Sequence, residues 1–401
     1  MLYLKKIYNN KNVIIQYTFY FYMILQLLSV TSVFFGQSAL EIYLKICRYI
    51  CYSIFAINII LERKKITKEE IILTILSIIV TYFSNNRSII ITLLIIMSIK
   101  NADIEKIYKT VYKPLLIMFF TIILSSLLRI IPDWTYMRGD VVRHSMGFIY
   151  PTDCASVFLM ITLLALYNNK LNIPWYHYVW IEIVNILLYV CTDSRLSFIL
   201  INFALLLSLI MKLKNVKRYI NSSQARKKMR IIAYIIPTFF LMLTNILILL
   251  PTNSVIFEKA DTLLSRRIIN SKNAYEKYGI SPFGQEIEWK GWGGYGYIKT
   301  EKNYEYNYVD NSYARIIVEY GIVFTIIVII GYIKLLKYCV KKKNINLYII
   351  INIILLWSFV EPCIINISRN IFVISFSLLL NEKSRNSRCL HEKINKKELR
   401  I

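Results

Sequence analysis

The sequence lacks the motifs of several enzyme and transporter classes. No Asp-x-Asp triplet occurs in its 401 residues, which argues against a nucleotide-sugar transferase that depends on a bound divalent ion. A glycine-rich phosphate loop of the Walker type is also missing, so ATP-driven transport by this chain alone is excluded. The seven cysteines and three histidines never fall at the spacing of zinc ligands. The sequence therefore predicts neither a metal nor a cofactor.

Two further absences leave long apolar runs as the main signal. The first run has no Ala-x-Ala-like cleavage site and more runs follow, so no cleavable signal peptide is expected. The alternating pattern of a membrane β-barrel is absent. Apolar residues make up 56% of the chain and gather in runs such as 113–131, 146–167 and 231–250. Runs of ~20 residues cross a bilayer as helices, which satisfy their own backbone in lipid. The sequence therefore predicts an all-α polytopic membrane protein.

About twelve transmembrane helices are expected, and they divide the chain into four parts. Residues 1–250 hold the first nine, 251–310 one large extracytoplasmic loop, 311–380 the last three, and 381–401 a basic tail. No internal repeat is evident, which disfavours transporter folds built from repeated halves. The predicted spans are residues 13–34, 42–60, 69–84, 87–100, 113–131, 146–167, 174–191, 196–211, 231–250, 311–333, 346–361 and 366–380.

Basic residues outnumber acidic ones by 49 to 24, which gives a net charge of +25. In a soluble protein this excess would suggest a nucleic-acid partner. Here the lysines and arginines fall in alternate connectors and form no single patch, so no nucleic acid is expected. Their distribution is the positive-inside asymmetry, which places both termini in the cytoplasm.

The large loop, residues 251–310, differs from the other connectors. It carries eight basic and eight acidic residues, and the parity of the spans places it outside. Residues 257–278 have the apolar spacing of an amphipathic helix on a membrane surface. The second half holds six of the eleven glycines, interleaved with aromatic residues that include Trp289 and Trp292. Long loops are usually functional or disordered, and so many aromatic residues argue against disorder.

The short outer connectors contain arginine but no lysine: Arg87, Arg138, Arg143, Arg195 and Arg369. Positive charge outside opposes the topology rule. Because the arginine fork binds phosphate oxygens bidentately and stays charged, the set predicts a phosphate-binding site. The alternative for each arginine is that it snorkels from the end of a span or pairs with a carboxylate among Asp133, Asp140, Asp193 and Glu361.

Two residues are candidates for a general base on the outer side. His144 follows Arg143, and an ordinary hydrogen-bonding role at the interface is its alternative. Asp310 closes the large loop, where a carboxylate near the lipid–water boundary is a competent proton acceptor. Its alternative is a structural one, because either Asp310 or Asn311 is an acceptable N-cap for the tenth span.

Several segments resemble motifs of the Wzy-type polymerases of O-antigen and capsule. Residues 143–151, Arg-His-Ser-Met-Gly-Phe-Ile-Tyr-Pro, resemble the outer-end motif of that family. Residues 192–195, Thr-Asp-Ser-Arg, resemble its Ser-Arg turn. The likeness covers most of the chain from residue 85 onward. It continues with segments that are similar to the two ends of the family's large loop and to its last two spans: Arg267 with 278–284, then 310–313 with 319–321, and Glu361 with Asn366 and Asn370.

The resemblance implies a metal-independent, inverting membrane glycosyltransferase of the GT-C type. Such an enzyme joins oligosaccharide repeat units carried on undecaprenyl pyrophosphate, at the outer face of the bacterial plasma membrane. Membrane lipid and a chain-length regulator protein are its further implied partners. The implied catalytic residues are Arg143, Arg195, Asp310 and His144. The substrate-binding candidates are Arg87, Arg138, Arg266, Arg267, Trp289, Trp292, Tyr313, Arg315 and Arg369. Gly291 and Gly293 favour exposure of Trp289 and Trp292, which predicts that these rings stack on sugar faces, and packing of the loop against the membrane is the alternative.

Three other functions compete with the polymerase. An O-antigen ligase shares its chemistry but carries a His near the end of the large loop, where this sequence has Asp310. A lipid-linked oligosaccharide flippase is disfavoured by the long aromatic loop and the missing repeat. For a structural or scaffold protein the outer arginines would be incidental.

Overall fold

The computed structural model of the protein describes residues 2–34, 37–291 and 306–382, and these are mostly helical. Trp292 lies outside the described residues. The first seven helices are α1 (Leu2–Leu28), α2 (Ser38–Leu61), α3 (Lys68–Ser84), α4 (Ser88–Ile99), α5 (Ile104–Leu127), α6 (Pro151–Asn168) and α7 (Trp175–Thr192). The next seven are α8 (Arg195–Lys212), α9 (Lys214–Ile220), α10 (Ser223–Leu249), α11 (Val255–Leu263), α12 (Arg267–Tyr278), α13 (Ser312–Lys341) and α14 (Ile345–Trp357), with a 3₁₀ segment at Ile371–Phe376.

Helical segments overlap all twelve predicted spans, and several of them begin with a side-chain cap. Thr67 and Glu70 form a capping box at α3, and Asp103 accepts from Lys106 N–H at the start of α5. Within the described ranges, six helices are long and apolar enough to cross a membrane, which confirms the helical membrane class: those within 39–61, 104–127, 151–168, 195–212, 223–249 and 312–341. The total of twelve spans stays a prediction.

Burial separates the central helices from the peripheral ones. In α6 the side chains from Cys154 to Tyr167 are buried throughout, and most of α13 and α14 is buried as well. By contrast, α2 and α10 expose whole apolar faces, with Ile46 and Ile50 on α2 as examples. An apolar face this large on a helix surface is typical of lipid contact. The core therefore lies around α6, α13 and α14.

The connectors predicted on the inner side contact each other, and so do the connectors predicted on the outer side. On the inner side, Lys100 Nζ lies 2.6 Å from the buried carboxylate of Glu70, and Glu62 pairs with Lys11. On the outer side, Ser32 N–H donates to Gly147 O at 3.0 Å. This is the pattern that spans of alternating direction produce.

Two outer connectors contain structure that the sequence pattern missed. Residues 135–138 and 141–144 form an antiparallel hairpin, β1 (Thr135–Arg138) and β2 (Val141–His144), which adds a small sheet to a chain expected to be all-α. The amphipathic helix expected at 257–278 is two helices, α11 and α12. They separate because Ser265 and Arg266 both adopt positive φ, of 54° and 65°, which ends a right-handed helix.

Helix α13 is broken at Gly321, and the large loop fills the break. Gly321 has φ 84° and ψ 167°, so the following backbone N–H groups lose their helical acceptors. Ile322 and Val323 donate instead to Ser281 O and Pro282 O at 3.1 and 3.2 Å. The two chain segments touch so closely that a Cβ on Gly321 would lie 2.6 Å from Pro282 O. The break therefore anchors the middle of the loop against α13.

Candidate functional site

A cavity of about 1280 Å³ opens at the outer-connector end of the bundle. Its walls come from the start of α6, from α12, from the loop on both sides of residues 292–305, and from the segment after α14. Of the residues that the sequence proposed for a site, six line this cavity: Arg138, Arg266, Arg267, Trp289, Asp310 and Arg369. These residues lie up to 231 positions apart, so the fold itself brings them together.

The floor of the cavity is a chain of alternating charges, which we call the charge network. Arg369 donates to Asp153 Oδ1 at 2.9 Å and to Glu361 Oε2 at 3.1 Å. The other oxygen of Glu361 accepts from Arg267 Nη2 at 3.1 Å. Arg267 Nε also lies 3.6 Å from Asp310 Oδ2. Three carboxylates thus share two guanidinium groups. Arg369 pairs with Glu361, which is the alternative to phosphate binding that the sequence left open for each outer arginine.

Burial sets the electrostatics of the charge network. Glu361 is almost fully buried, and this desolvation raises its pKa to about 7, although Arg267 and Arg369 act in the opposite direction. For Arg267 burial lowers the pKa, but the charges of Asp310 and Glu361 outweigh it and raise the pKa overall. The raised pKa of Glu361 therefore reduces the negative charge that three carboxylates would otherwise set against two guanidinium groups.

Asp310 is not the cap of α13. That role belongs to Asn311, whose side-chain oxygen accepts from Tyr313 N–H at 2.9 Å and from Ala314 N–H at 3.1 Å. Asp310 stands one residue earlier, with 23% of its side chain exposed to the cavity. Asn311 therefore has the capping role that the sequence left open between the two residues. The carboxylate of Asp310 faces the cavity.

The Thr192–Arg195 turn collects three of the predicted arginines. Asp193, in a left-handed conformation at the end of α7, accepts from Arg138 Nη1 at 3.1 Å and from Arg195 Nε at 3.1 Å. Arg143 Nε donates to Thr192 O at 2.7 Å. Arg195 is mostly exposed and lines a small recess that adjoins the cavity through Arg138. The structure therefore joins the two arginine motifs of the resemblance.

Arg143 itself is buried beneath the cavity wall. Only 2% of the residue is exposed, and its guanidinium lies 5.5 Å from the ring centroid of Tyr150, which does line the cavity. Its Nη2 atom has no hydrogen-bond partner in the described part of the chain. Arg143 thus lies behind Tyr150 and does not itself line the cavity.

Trp289 and Arg315 belong to a second cluster around the buried carboxylate of Glu319. Trp289 Nε1–H donates to Glu319 Oε2 at 2.7 Å, and Arg315 Nε donates to the same oxygen at 3.0 Å. The Arg315 guanidinium lies 5.1 Å from the Trp289 ring centroid and 4.9 Å from that of Tyr308. Arg315 therefore holds the rings of Trp289 and Tyr308 in place without lining the cavity itself.

Three other predicted residues lie away from the cavity. Arg87 is exposed at the start of α4. His144 Nδ1 lies 2.6 Å from Asp133 Oδ2 on the hairpin. Tyr313 is fully buried, and its hydroxyl donates to Leu355 O at 3.0 Å. None of the three lines the cavity, because helix packing or the hairpin directs each side chain elsewhere.

Sequence reasoning missed several residues of the cavity wall. Asp153 lies two positions after Pro151, in the first turn of α6, where a carboxylate also complements the helix dipole. Asn270 and Asn273 lie three positions apart on α12, a spacing that places both on one helix face. Both spacings can be seen in the sequence and could have indicated these residues. No sequence pattern pointed to Tyr306 or Tyr308, which irregular backbone brings to the wall.

In the ranges that the structure describes, no group of three or more His, Cys, Asp or Glu side chains is arranged to hold a metal ion. The clustered carboxylates of the charge network are paired with arginines instead. Comparisons with protein-family models, with curated proteins and with solved structures return no match.

Proposed function

We propose that this protein is a membrane glycosyltransferase that polymerises oligosaccharide repeat units carried on undecaprenyl pyrophosphate into a surface polysaccharide. The observation that carries the proposal is the cavity at the outer-connector end of the bundle, where the partly exposed carboxylate of Asp310 meets two arginines, Arg267 and Arg369, and the rings of Tyr150, Trp289, Tyr306 and Tyr308. A lipid-linked sugar has matching parts: a diphosphate, a hydroxyl that must lose a proton, and sugar faces. The Wzy-like segments supply three of these residues, Tyr150, Arg267 and Asp310.

In the proposed reaction Asp310 is the general base that accepts a proton. A hydroxyl oxygen of the acceptor sugar attacks the anomeric carbon of the donor, and a new glycosidic bond forms. The bond between that carbon and the diphosphate oxygen breaks, and the diphosphate leaves with the electron pair. The hydroxyl proton passes to the Asp310 carboxylate, which faces the cavity. Attack from the face opposite the leaving group inverts the configuration of the donor sugar.

The leaving diphosphate requires positive charge that is held in place beforehand. Arg369 and Arg267 are fixed by the charge network, so their guanidinium groups need no reorganisation when the diphosphate departs. Arg266 extends into the same cavity and forms no ion pair with any residue that the structure describes. It is the cation most available to an arriving phosphate, while Arg267 and Arg369 respond to the charge that develops later.

The proposal is tested by deleting the gene and examining the surface glycan. A polymerase defect removes long polymer while single repeat units are still displayed. Purified protein should then lengthen lipid-linked repeat units without ATP, nucleotide sugar or metal. Arg266→Ala should reduce this elongation, and Arg87→Ala, which removes an exposed arginine outside the cavity, should not. Loss of all display after deletion, or no elongation by purified wild-type protein, would contradict the proposal.

A further inference from the structure

Helix α12 presents two chemically different faces. Its inward face is buried and contains Arg267, Ile268, Ser271 and Ala274. The face toward the cavity has Ile269 and four polar side chains at spacings of four, three and four residues, and these four form a straight stripe along the helix. The residues of this polar stripe are Arg266, Asn270, Asn273 and Lys277.

The amides of the polar stripe have unused hydrogen-bonding capacity. Neither Asn270 nor Asn273 makes a side-chain hydrogen bond within the described ranges, although each amide offers two donors and one acceptor oxygen. Asn307, also on the wall, differs because its amide nitrogen already donates to Tyr278 Oη at 2.7 Å and to Glu288 O at 2.9 Å. Two amides of the stripe are thus open to a ligand.

The cavity also has an aromatic wall, formed by Tyr150, Trp289, Tyr306 and Tyr308. Arg315 packs on both Trp289 and Tyr308, and Trp289 meets Tyr278 edge-on at 6.3 Å between ring centroids. These contacts fix the rings of Trp289 and Tyr308 in position. Fixed aromatic rings and amides within one cavity offer a sugar both apolar contact and hydrogen bonds to its hydroxyl groups.

We propose that the polar stripe of α12 and the aromatic wall form a saccharide subsite, separate from the charge network, which takes the diphosphate. This assignment rests on the proposed function. From Asn270 to Lys277 the stripe extends roughly 10 Å along the helix, at 1.5 Å per residue. Asn270 lies about one turn beyond Arg267, so a sugar held by the two asparagines lies next to a diphosphate at the charge network. Asn270 and Asn273 bind the glycan by neutral hydrogen bonds, while Arg266, at the start of the stripe, faces the phosphate.

Two probes separate the subsites in the purified full-length protein. One is the free repeat-unit oligosaccharide, released from the lipid by mild acid, and the other is undecaprenyl pyrophosphate without sugar. The double variant Asn270→Ala, Asn273→Ala should bind the oligosaccharide roughly tenfold to a hundredfold more weakly, as the loss of two hydrogen bonds predicts. Its affinity for undecaprenyl pyrophosphate should be unchanged.

The control is Glu276→Ala, which removes an exposed polar side chain from α12 outside the cavity. Because alanine favours helix over asparagine, the double variant should fold, and its unfolding temperature verifies this. Equal oligosaccharide affinity in the double variant and the wild type overturns the subsite. Wild-type protein that binds undecaprenyl pyrophosphate but not the oligosaccharide overturns the subsite and leaves the proposed function standing. Wild-type protein that binds neither probe contradicts both.

Discussion

At the scale of single residues, the arginines at the floor of the cavity have two roles at once. Arg267 and Arg369 each join two carboxylates, and both contact the buried Glu361. Removing one partner of a buried ion pair costs about 3–5 kcal/mol, because the other charge is left without compensation. Alanine at either arginine therefore tests folding as much as chemistry. Asp310 is better suited to a functional test, since it is partly exposed and 3.6 Å from Arg267.

We expect Asp310→Asn to slow elongation by a factor on the order of 10²–10⁴, because the amide keeps the shape of the carboxylate but cannot accept the proton. Protein abundance should not change, since Asn311 and not Asp310 caps α13. The measurement is the rate at which purified protein extends lipid-linked repeat units. Elongation at the wild-type rate would remove Asp310 as the base.

The matched control for this substitution is its neighbour. Asn311→Ala removes the cap and the contact with Thr244, where Asn311 Nδ2 donates to Oγ1 at 3.1 Å. It should lower the free energy of unfolding by about 1 kcal/mol while the elongation rate per folded molecule is retained. The two adjacent variants thus separate chemistry from stability.

The raised pKa of Glu361 predicts a pH dependence of stability. Between its ordinary pKa of 4.5 and its folded value of about 7, the folded protein holds a proton that the unfolded chain has lost. The contribution of Glu361 to stability is therefore complete below pH 4.5 and is lost as the pH rises toward 7. Glu361→Gln cannot ionise, so this part of the slope should disappear from the unfolding temperature measured between pH 4.5 and 8. Identical slopes in wild type and variant would show that Glu361 stays ionised.

At the scale of elements, the broken helix α13 links the large loop to the bundle. Gln285 N–H donates to Glu319 O at 3.0 Å, and Trp289 reaches the side chain of Glu319 in the same turn. The α3–α4 turn joins through Asn86, whose amide also donates to Glu319. One buried carboxylate thus ties three elements together, and this junction positions the aromatic wall.

We expect Gly321→Ala to prevent correct packing of the loop. The position has φ 84°, and an added Cβ would lie 2.4 Å from Gly284 N, which is backbone and cannot move aside. Gly139→Ala is the control, because Gly139 also has positive φ but no atom within 4 Å of the added Cβ. Its cost should stay near 1 kcal/mol. Yield and unfolding temperature of the purified variants measure the difference, and equal values for both would contradict the close packing.

At the scale of the whole molecule, the helices separate two chemically different ends. The basic residues of α9 and of the first turns of α10 lie at one end, and the cavity lies at the other. Helix α8 connects these ends directly, since it begins at Arg195 beside the cavity and ends at Lys212. Lysine-rich ends are retained in the cytoplasm, so this polarity predicts that the cavity lies outside.

Reporter fusions test that orientation. Fusions after Lys214 and Lys342 should report a cytoplasmic location, and a fusion after Lys277 an external one, because α12 lines the cavity. The physical reason is the cost of moving clustered lysines across the membrane. A cytoplasmic signal from residue 277 would place the cavity inside and contradict a reaction at the outer face.

The sequence alone determined the class of the protein and the places where helices form. Long apolar runs permit only helices in lipid, and helix starts such as those at Thr67 and Asp103 are capped by contacts within three residues along the chain. The arginine-only outer connectors and the aromatic loop also pointed to the end of the molecule where the cavity lies.

Only the tertiary structure decided which of those residues meet. Arg369 and Asp153 are far apart in the chain and adjacent in space, whereas Arg87 and His144, equally good candidates by pattern, lie outside the cavity. The break at Gly321 was also not evident from the sequence, because the N–H groups that follow it donate to Ser281 O and Pro282 O on the distant loop. Helix formation depends on neighbours within one or two turns, but a site depends on packing between distant segments, which no local pattern contains.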